Sequence, residues 1–286
     1  MSKQSERSVA VTGAGGGLGR DIALQLAAKG YMVFGTAFAP AEVEDLKKAS
    51  GGRVSLTVCD ITKPEAVKAW ADGVSDALGD AGLDVLINNA GILTPGPIEA
   101  LPLDAIRREF DVNVFGALSV INAHLPALRK ARGRVVQVST WTASVPLPFN
   151  GPSGASKAAT EVFMAVYRAE LKNFGVDFVV AAAGNMKTGG PAKTAAALAR
   201  VSDAMTPEQR KLYGQTFNTF AASLNSMQAN GLDSASAAKR VIELAEQMPA
   251  PSRGGVGADA EEMLRAAREK SDAELDALRL KLAGLG

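Results

Sequence analysis

The residues with the plainest chemical purpose come early. Thr12-Gly13-Ala14-Gly15-Gly16-Gly17-Leu18-Gly19 follows an apolar run at 8–12 and opens an amphipathic run at 18–29. Glycine at these points lets backbone pass close to a pyrophosphate, and the start of the following helix offers free N–H groups and a positive dipole end to the phosphates. The chemistry implied is nucleotide binding; the plain alternative is a tight structural turn. Other reactive side chains are scarce. A single cysteine, Cys59, excludes a disulfide scaffold and a cysteine-rich metal site, and a single histidine, His124, excludes a histidine-cluster zinc site. Cys59 reads as a buried inert thiol, and His124 as a packing residue on a helix. No metal site is expected.

The elements that must position the glycine turn alternate along the chain. Short apolar runs at 8–12, 31–37, 54–58, 83–88, 134–139 and 176–182 read as strands. Amphipathic runs at 18–29, 41–49, 64–78, 104–111, 114–130 and 154–173 read as helices. Continuous apolar strands between helices predict an α/β fold, a Rossmann-like doubly wound parallel sheet covered on both faces. After Gly184 the character changes. Residues 187–204 show no clear period, 207–228 and 234–247 look helical, and 248–257 reads as a Pro/Gly-rich link. Two polar-faced helices follow at 259–270 and 272–283, the second opened by a Ser271/Glu274 capping box. The expectation is one Rossmann-type domain over 1–286, with a dinucleotide-binding core at 8–185 and a helical, substrate-binding C-terminal extension at 186–286.

Composition narrows the class. Of 286 residues, 47% are hydrophobic, ample for a large core, which excludes disorder. Lys plus Arg (31) nearly cancels Asp plus Glu (30), so no basic field invites nucleic acid or an anionic membrane surface. No apolar run is long enough for a membrane span, and the polar start MSKQSERS has no secretory core. A cytoplasmic protein is the expectation.

The TGxxxGxG spacing of the first turn, with Asn88-Asn89-Ala90-Gly91 after the fourth strand, resembles the short-chain dehydrogenase/reductase family. Asp60-Ile61, Asn113 within Asp111-Val112-Asn113-Val114-Phe115-Gly116, and Ser156-Lys157-Ala158-Ala159 follow in the family's order. The resemblance runs from about Ser8 to Thr188. It implies a nicotinamide dinucleotide, with Gly13, Gly17, Leu18 and Gly19 around the pyrophosphate and Phe38 near the adenosine ribose. Asp60 and Ile61 would flank the adenine, and Asn89, Ala90 and Gly91 would lie beside the ribose. Lys157 would bind the nicotinamide ribose, and Thr188 the carboxamide. Plainer roles stand beside these: Asn88 and Asn89 as a turn tying two strands, and Thr188 as a loop residue. Relatives pair the helices at 114–130 and 154–173 between subunits, so a homodimer or homotetramer is implied. A small, lipophilic substrate is the expected partner.

The chain departs from the family pattern where protons move. The catalytic tyrosine belongs four residues before the lysine, and Ser153 stands there; the catalytic serine falls at Thr140, with Ser139 adjacent. Ala183 replaces a proline, and Ala37-Phe38 replaces the charged residue after the second strand. Without an acidic residue at that point, the reading leans to NADP over NAD. A phenol of pKa ~10 can be tuned to donate or accept a proton; a serine hydroxyl is a far weaker acid and shorter by a ring. Asn113, Thr140, Ser153 and Lys157 are therefore the catalytic candidates of an NAD(P)-dependent oxidoreductase with a non-standard site. It would reduce an imine, iminium or activated alkene, or a ketone if Ser153 is an engineered change. The alternatives are a non-redox cyclase, isomerase or lyase on the same scaffold, and an inactive nucleotide-binding protein. Trp141, Phe149 and Met186 flank the proposed site as pocket or core residues, and Tyr167 and Tyr213 read as structural.

Overall fold

The computed structural model describes residues 7–187 and 190–286. Seven parallel strands form one sheet in the order β3-β2-β1-β4-β5-β6-β9. Their ranges are β1 Ser8–Val11, β2 Met32–Ala37, β3 Val54–Val58, β4 Val85–Asn88, β5 Arg134–Thr140, β6 Asp177–Ala183 and β9 Arg253–Val256. A two-stranded ladder, β7 Met186–Lys187 with β8 Leu232–Asp233, stands apart.

The strands are apolar throughout because both faces are covered, yet each face keeps the two-residue period of a strand. Val9, Val11, Val85, Ile87, Val136 and Val179 enter one core cluster. Their neighbours Ala10, Leu86, Val135, Phe178 and Val180 enter the other. The first face is covered by α1 Gly17–Ala28 and α9 Ser234–Glu246, the second by α3 Pro64–Leu78, α5 Ala117–Ala131 and α6 Gly151–Glu170. Fully buried side chains such as Ile87 and Phe178 each contribute about 1.5–3 kcal/mol. His124 packs edge-on against Trp70 in the second cluster, and burial holds its pKa down to about 4. Burial likewise pushes the Cys59 thiol up to about 11, so both side chains are uncharged at neutral pH, and Cys59 borders the cleft beside the glycine turn.

Two C-terminal segments differ from the sequence reading. Residues 187–204 contain a helix, α7 Gly190–Ala204, whose alanine-rich stretch favours helix without a visible apolar period. The 248–257 link contains β9, the seventh strand of the sheet. Its glycines hide it: a side chain at Gly254 would run into Leu244, and one at Gly255 into Glu261. With α8 Pro207–Ala229, α10 Ala258–Glu269 and α11 Asp272–Leu282, α7 builds a third core around Trp141, Leu198, Phe217 and Phe220, and Phe149 packs on it. The expected capping box at Ser271/Glu274 opens α11. Among the described residues, no helix is long and apolar enough to cross a membrane.

Strand order reverses between β1 and β4: the chain first runs outward to β3, then returns to the far side of β1. Open α/β sheets bind ligands in the crevice at such a switch point, outside the carboxyl ends of the strands. The glycine turn follows β1, and Asn89-Ala90-Gly91 follows β4, so both motifs meet there.

Candidate active site

The glycine turn is held from both sides. Gly13 N–H donates to Thr36 Oγ1 at 2.9 Å and Ala14 N–H to Thr36 O at 2.8 Å, tying it to β2. Thr12 Oγ1 accepts from Asn89 N–H (2.9 Å) and Ala90 N–H (3.0 Å), and Asn89 Nδ2 donates to Thr12 O at 3.0 Å, tying it to β4. Gly13 has φ +65° and Gly17 φ +52°, a region only glycine enters freely. A Cβ on Gly19 would overlap the Gly13 carbonyl, so glycine is required there by packing. A Cβ on Gly16 or Gly17 would meet nothing. The α1 N-terminus therefore faces open space, and its cap residue Gly16 offers no side chain to its free N–H groups. This is a cradle shaped for an anion.

That cradle is one wall of a cleft of about 990 Å³. Gly13 and Gly17 line it with Phe38, Asp60 and Ile61, and Asn89, Ala90 and Gly91 line it next to the Gly13 turn. Leu18 and Gly19 do not line it: Leu18 is buried in the core under α1, and Gly19 packs against the Gly13 turn. Asp60 accepts from Thr62 N–H and Oγ1 at 3.0 and 2.8 Å, and these bonds hold its carboxyl below the usual range. Thr188 lies outside the described residues.

Beyond Gly91 the four catalytic candidates sit on β5, α6 and a π-helical turn, Asp111–Gly116. π-turns within helices often mark functional sites. Here the turn places Asn113, whose backbone carbonyl accepts from Thr160 Oγ1 at 3.0 Å. The Asn113 amide clamps the loop after β4: Oδ1 accepts from Ile92 N–H (2.9 Å), and Nδ2 donates to Ile92 O and Ser156 Oγ (3.0 Å each). Lys157 Nζ donates to Val138 O at 3.0 Å, and desolvation lowers its pKa to about 8. A Cβ on Gly91 would lie 3.1 Å from Asn113 Oδ1 and 3.3 Å from Lys157 Nζ, so this glycine lets both groups pack against the loop that lines the cleft, while none of the four candidates lines the cleft itself.

Ser153 is 9% exposed, on the first turn of α6, and its hydroxyl bonds to no described residue. Thr140 ends β5, where its Oγ1 accepts from Thr142. The neighbouring Ser139 is occupied elsewhere, donating to buried Glu161 Oε1 at 2.5 Å. The hydroxyls of all three tyrosines are bonded to other side chains. Tyr31 bonds Glu246, Tyr167 bonds Asn122 and stacks on Phe178, and Tyr213 bonds Glu99.

Sequence reasoning missed two carboxyls. Glu109 is wholly buried one helical turn before Asn113; Oε1 accepts from the Asn113 amide at 3.3 Å, and Oε2 has no partner among the described residues. Glu161 lies one turn after Lys157, paired with Arg253 and Ser139. Burial raises the pKa of both, and their charge resists the fall in that of Lys157. The i,i+4 spacing from Asn113 and from Lys157 is the signal that could have found them.

A family model described as short chain dehydrogenase matches residues 7–198, more than half of the chain. The chain belongs to the short-chain dehydrogenase family. Estradiol 17-beta-dehydrogenase 2 of Mus musculus is 37% identical over 187 residues, covering 64% of this chain and 49% of the relative. Retinol dehydrogenase 16 of Homo sapiens is 34% identical over 220 residues, 76% of this chain and 69% of the relative. The chain thus spans about half the length of the first of these relatives. Among solved structures, a short chain dehydrogenase from Burkholderia cenocepacia in complex with NADP superposes with a TM-score of 0.72 at 26% identity, covering 97% of both chains. Family membership and the parallel sheet agree with the expectations drawn from the motifs.

Proposed function

We propose that this short-chain dehydrogenase is an NAD(P)-dependent oxidoreductase acting on a small lipophilic molecule, with proton delivery that does not use a phenol. The cofactor assignment rests on the glycine cradle, in which the positions next to the open α1 N-terminus have no room requirement while Gly19 admits no side chain. A relative solved with NADP supports it. The substrate class rests on relatives named for estradiol and retinol, and on the aromatic cluster of Phe149, Phe217 and Phe220 beside the loop after β5.

Gly13, Gly17 and the α1 N-terminus would hold the pyrophosphate, Phe38 and Ile61 the adenosine, and Lys157 the nicotinamide ribose. The dinucleotide, when bound, supplies or takes hydride. The chain's own residues orient and polarise. Lys157, held by Val138 beside Gly91, would bring a positive charge to the nicotinamide ribose, Asn113 fixes the loop that carries Gly91, and the Thr140 hydroxyl would orient a substrate atom. Ser153 is a spacer or holds a water.

The observation that carries the altered chemistry is the serine at 153, with every tyrosine hydroxyl bonded elsewhere. An iminium carbon is already activated by its charge, so hydride addition there needs no acid. A ketone does need one, and such help is worth ~10²–10⁴ in rate. Assaying the protein with NADH and NADPH on matched cyclic iminium ions, activated alkenes and ketones tests this. Turnover of the first two classes with ketones at least 100-fold slower is expected. Ketones turning over as fast as iminium ions would contradict it.

A further inference from the structure

The lean toward NADP drawn from the sequence rests on the absence of an acidic residue directly after β2. The fold supplies one from further on. α2, Pro40–Ala49, begins at the cleft, and Glu42 in its first turn folds its carboxylate back over the helix start. Oε2 accepts from the Phe38 N–H at 2.8 Å and the Ala39 N–H at 3.3 Å. The same oxygen lies against the glycine turn: a Cβ on Gly15 would be 2.5 Å from it. Glu42 and Gly15 both line the cleft. Oε1 bonds to no described residue.

Given the dinucleotide reading above, we infer that Glu42 is the residue that selects NAD(H) over NADP(H). In sheets of this kind the adenosine ribose lies beyond the end of the second strand, with its 2′-oxygen toward an acidic group there. The free Oε1 of Glu42 accepts a 2′-hydroxyl. A 2′-phosphate would instead meet a like charge, and the two N–H groups best placed to receive it are already bonded to Oε2. Among the described residues, no cation pairs with Glu42. Arg20, on the adjoining turn of α1, pairs with Asp45 at 2.9 Å. The cations that line the cleft, Lys63 and Arg108, lie near enough to Asp60 to favour its charge. Phe38, 77% exposed, offers only an apolar face.

Dissociation constants for NADH and NADPH, and for ADP-ribose and its 2′-phosphate, measured by calorimetry on the native protein and on Glu42→Gln, test this without turnover. The glutamine keeps an oxygen for the Phe38 and Ala39 N–H groups, so α2 stays capped, and an unchanged melting temperature reports that. The native protein is expected to bind NADH at least tenfold more tightly than NADPH. In Glu42→Gln the ratio should fall below threefold, chiefly through tighter NADPH, with the ADP-ribose pair moving in parallel. A native preference for NADPH, equal native affinities, or a ratio unmoved by the substitution would each overturn the inference while leaving the dinucleotide site standing. Absence of binding by all four ligands would overturn the site and the inference together.

Discussion

The glycine-lined cleft and the β5–α6 region behind Gly91 are built by different means. Around β1 and β4 the site is made of backbone: glycine turns, an open helix start, N–H groups held by Thr12 and Thr36, and a carbonyl held by Asn89. Around β5 and α6 it is made of side chains, among them Thr140, Ser153 and Lys157. A backbone site depends on space, which glycine preserves or any larger residue destroys. A side-chain site depends on one functional group, which a single substitution can remove while the fold stays whole. Lys157 and Asn113 are held by bonds to Val138 and Ile92, whatever side chain stands at 153.

Several substitutions would break or sharpen this contrast. Gly19→Val should have the largest effect. Its side chain would overlap the Gly13 carbonyl and displace the turn, so NADH binding should fall by more than 100-fold in calorimetry, with a lower melting temperature. A smaller change is expected from Lys157. Its folded pKa, about 8, lies below its usual 10.5, so the native state binds fewer protons between those values and stability should rise with pH across that window. Relative to Lys157→Met, the native protein should gain roughly 2–3 kcal/mol in urea unfolding between pH 7 and 11. A flat difference would show that the ammonium is solvated. The smallest change belongs to Glu109→Gln. It keeps an acceptor for the Asn113 amide but removes a carboxyl whose charge raises the lysine pKa. The Lys157 titration followed by NMR should move to lower pH, with little change in NADH affinity.

The same division governs what could be read from sequence. The Thr12–Gly19 turn, the Asn88–Gly91 turn and the apolar strands are local patterns, and their placement followed from strand–helix alternation. β9 has the sequence of a link because its glycines, required by contact with Leu244 and Glu261, carry no apolar signal. α7 was missed because alanine favours helix without marking a face. Glu109 and Glu161 were missed because charge ordinarily signals solvent, and only the fold shows them buried beside Asn113 and Lys157. Glu42 reaches the cleft only because α2 starts there and its side chain turns back.

The most direct test of an intact dinucleotide site beside an altered proton site is Ser153→Tyr. The native and substituted proteins should bind NADH with dissociation constants within about threefold of each other. In single-turnover absorbance of the reduced nicotinamide, ketone reduction should be at least ~10²-fold faster with tyrosine, the scale of a restored general acid. Ketone reduction by the native protein at the rate of the substituted one would contradict the account.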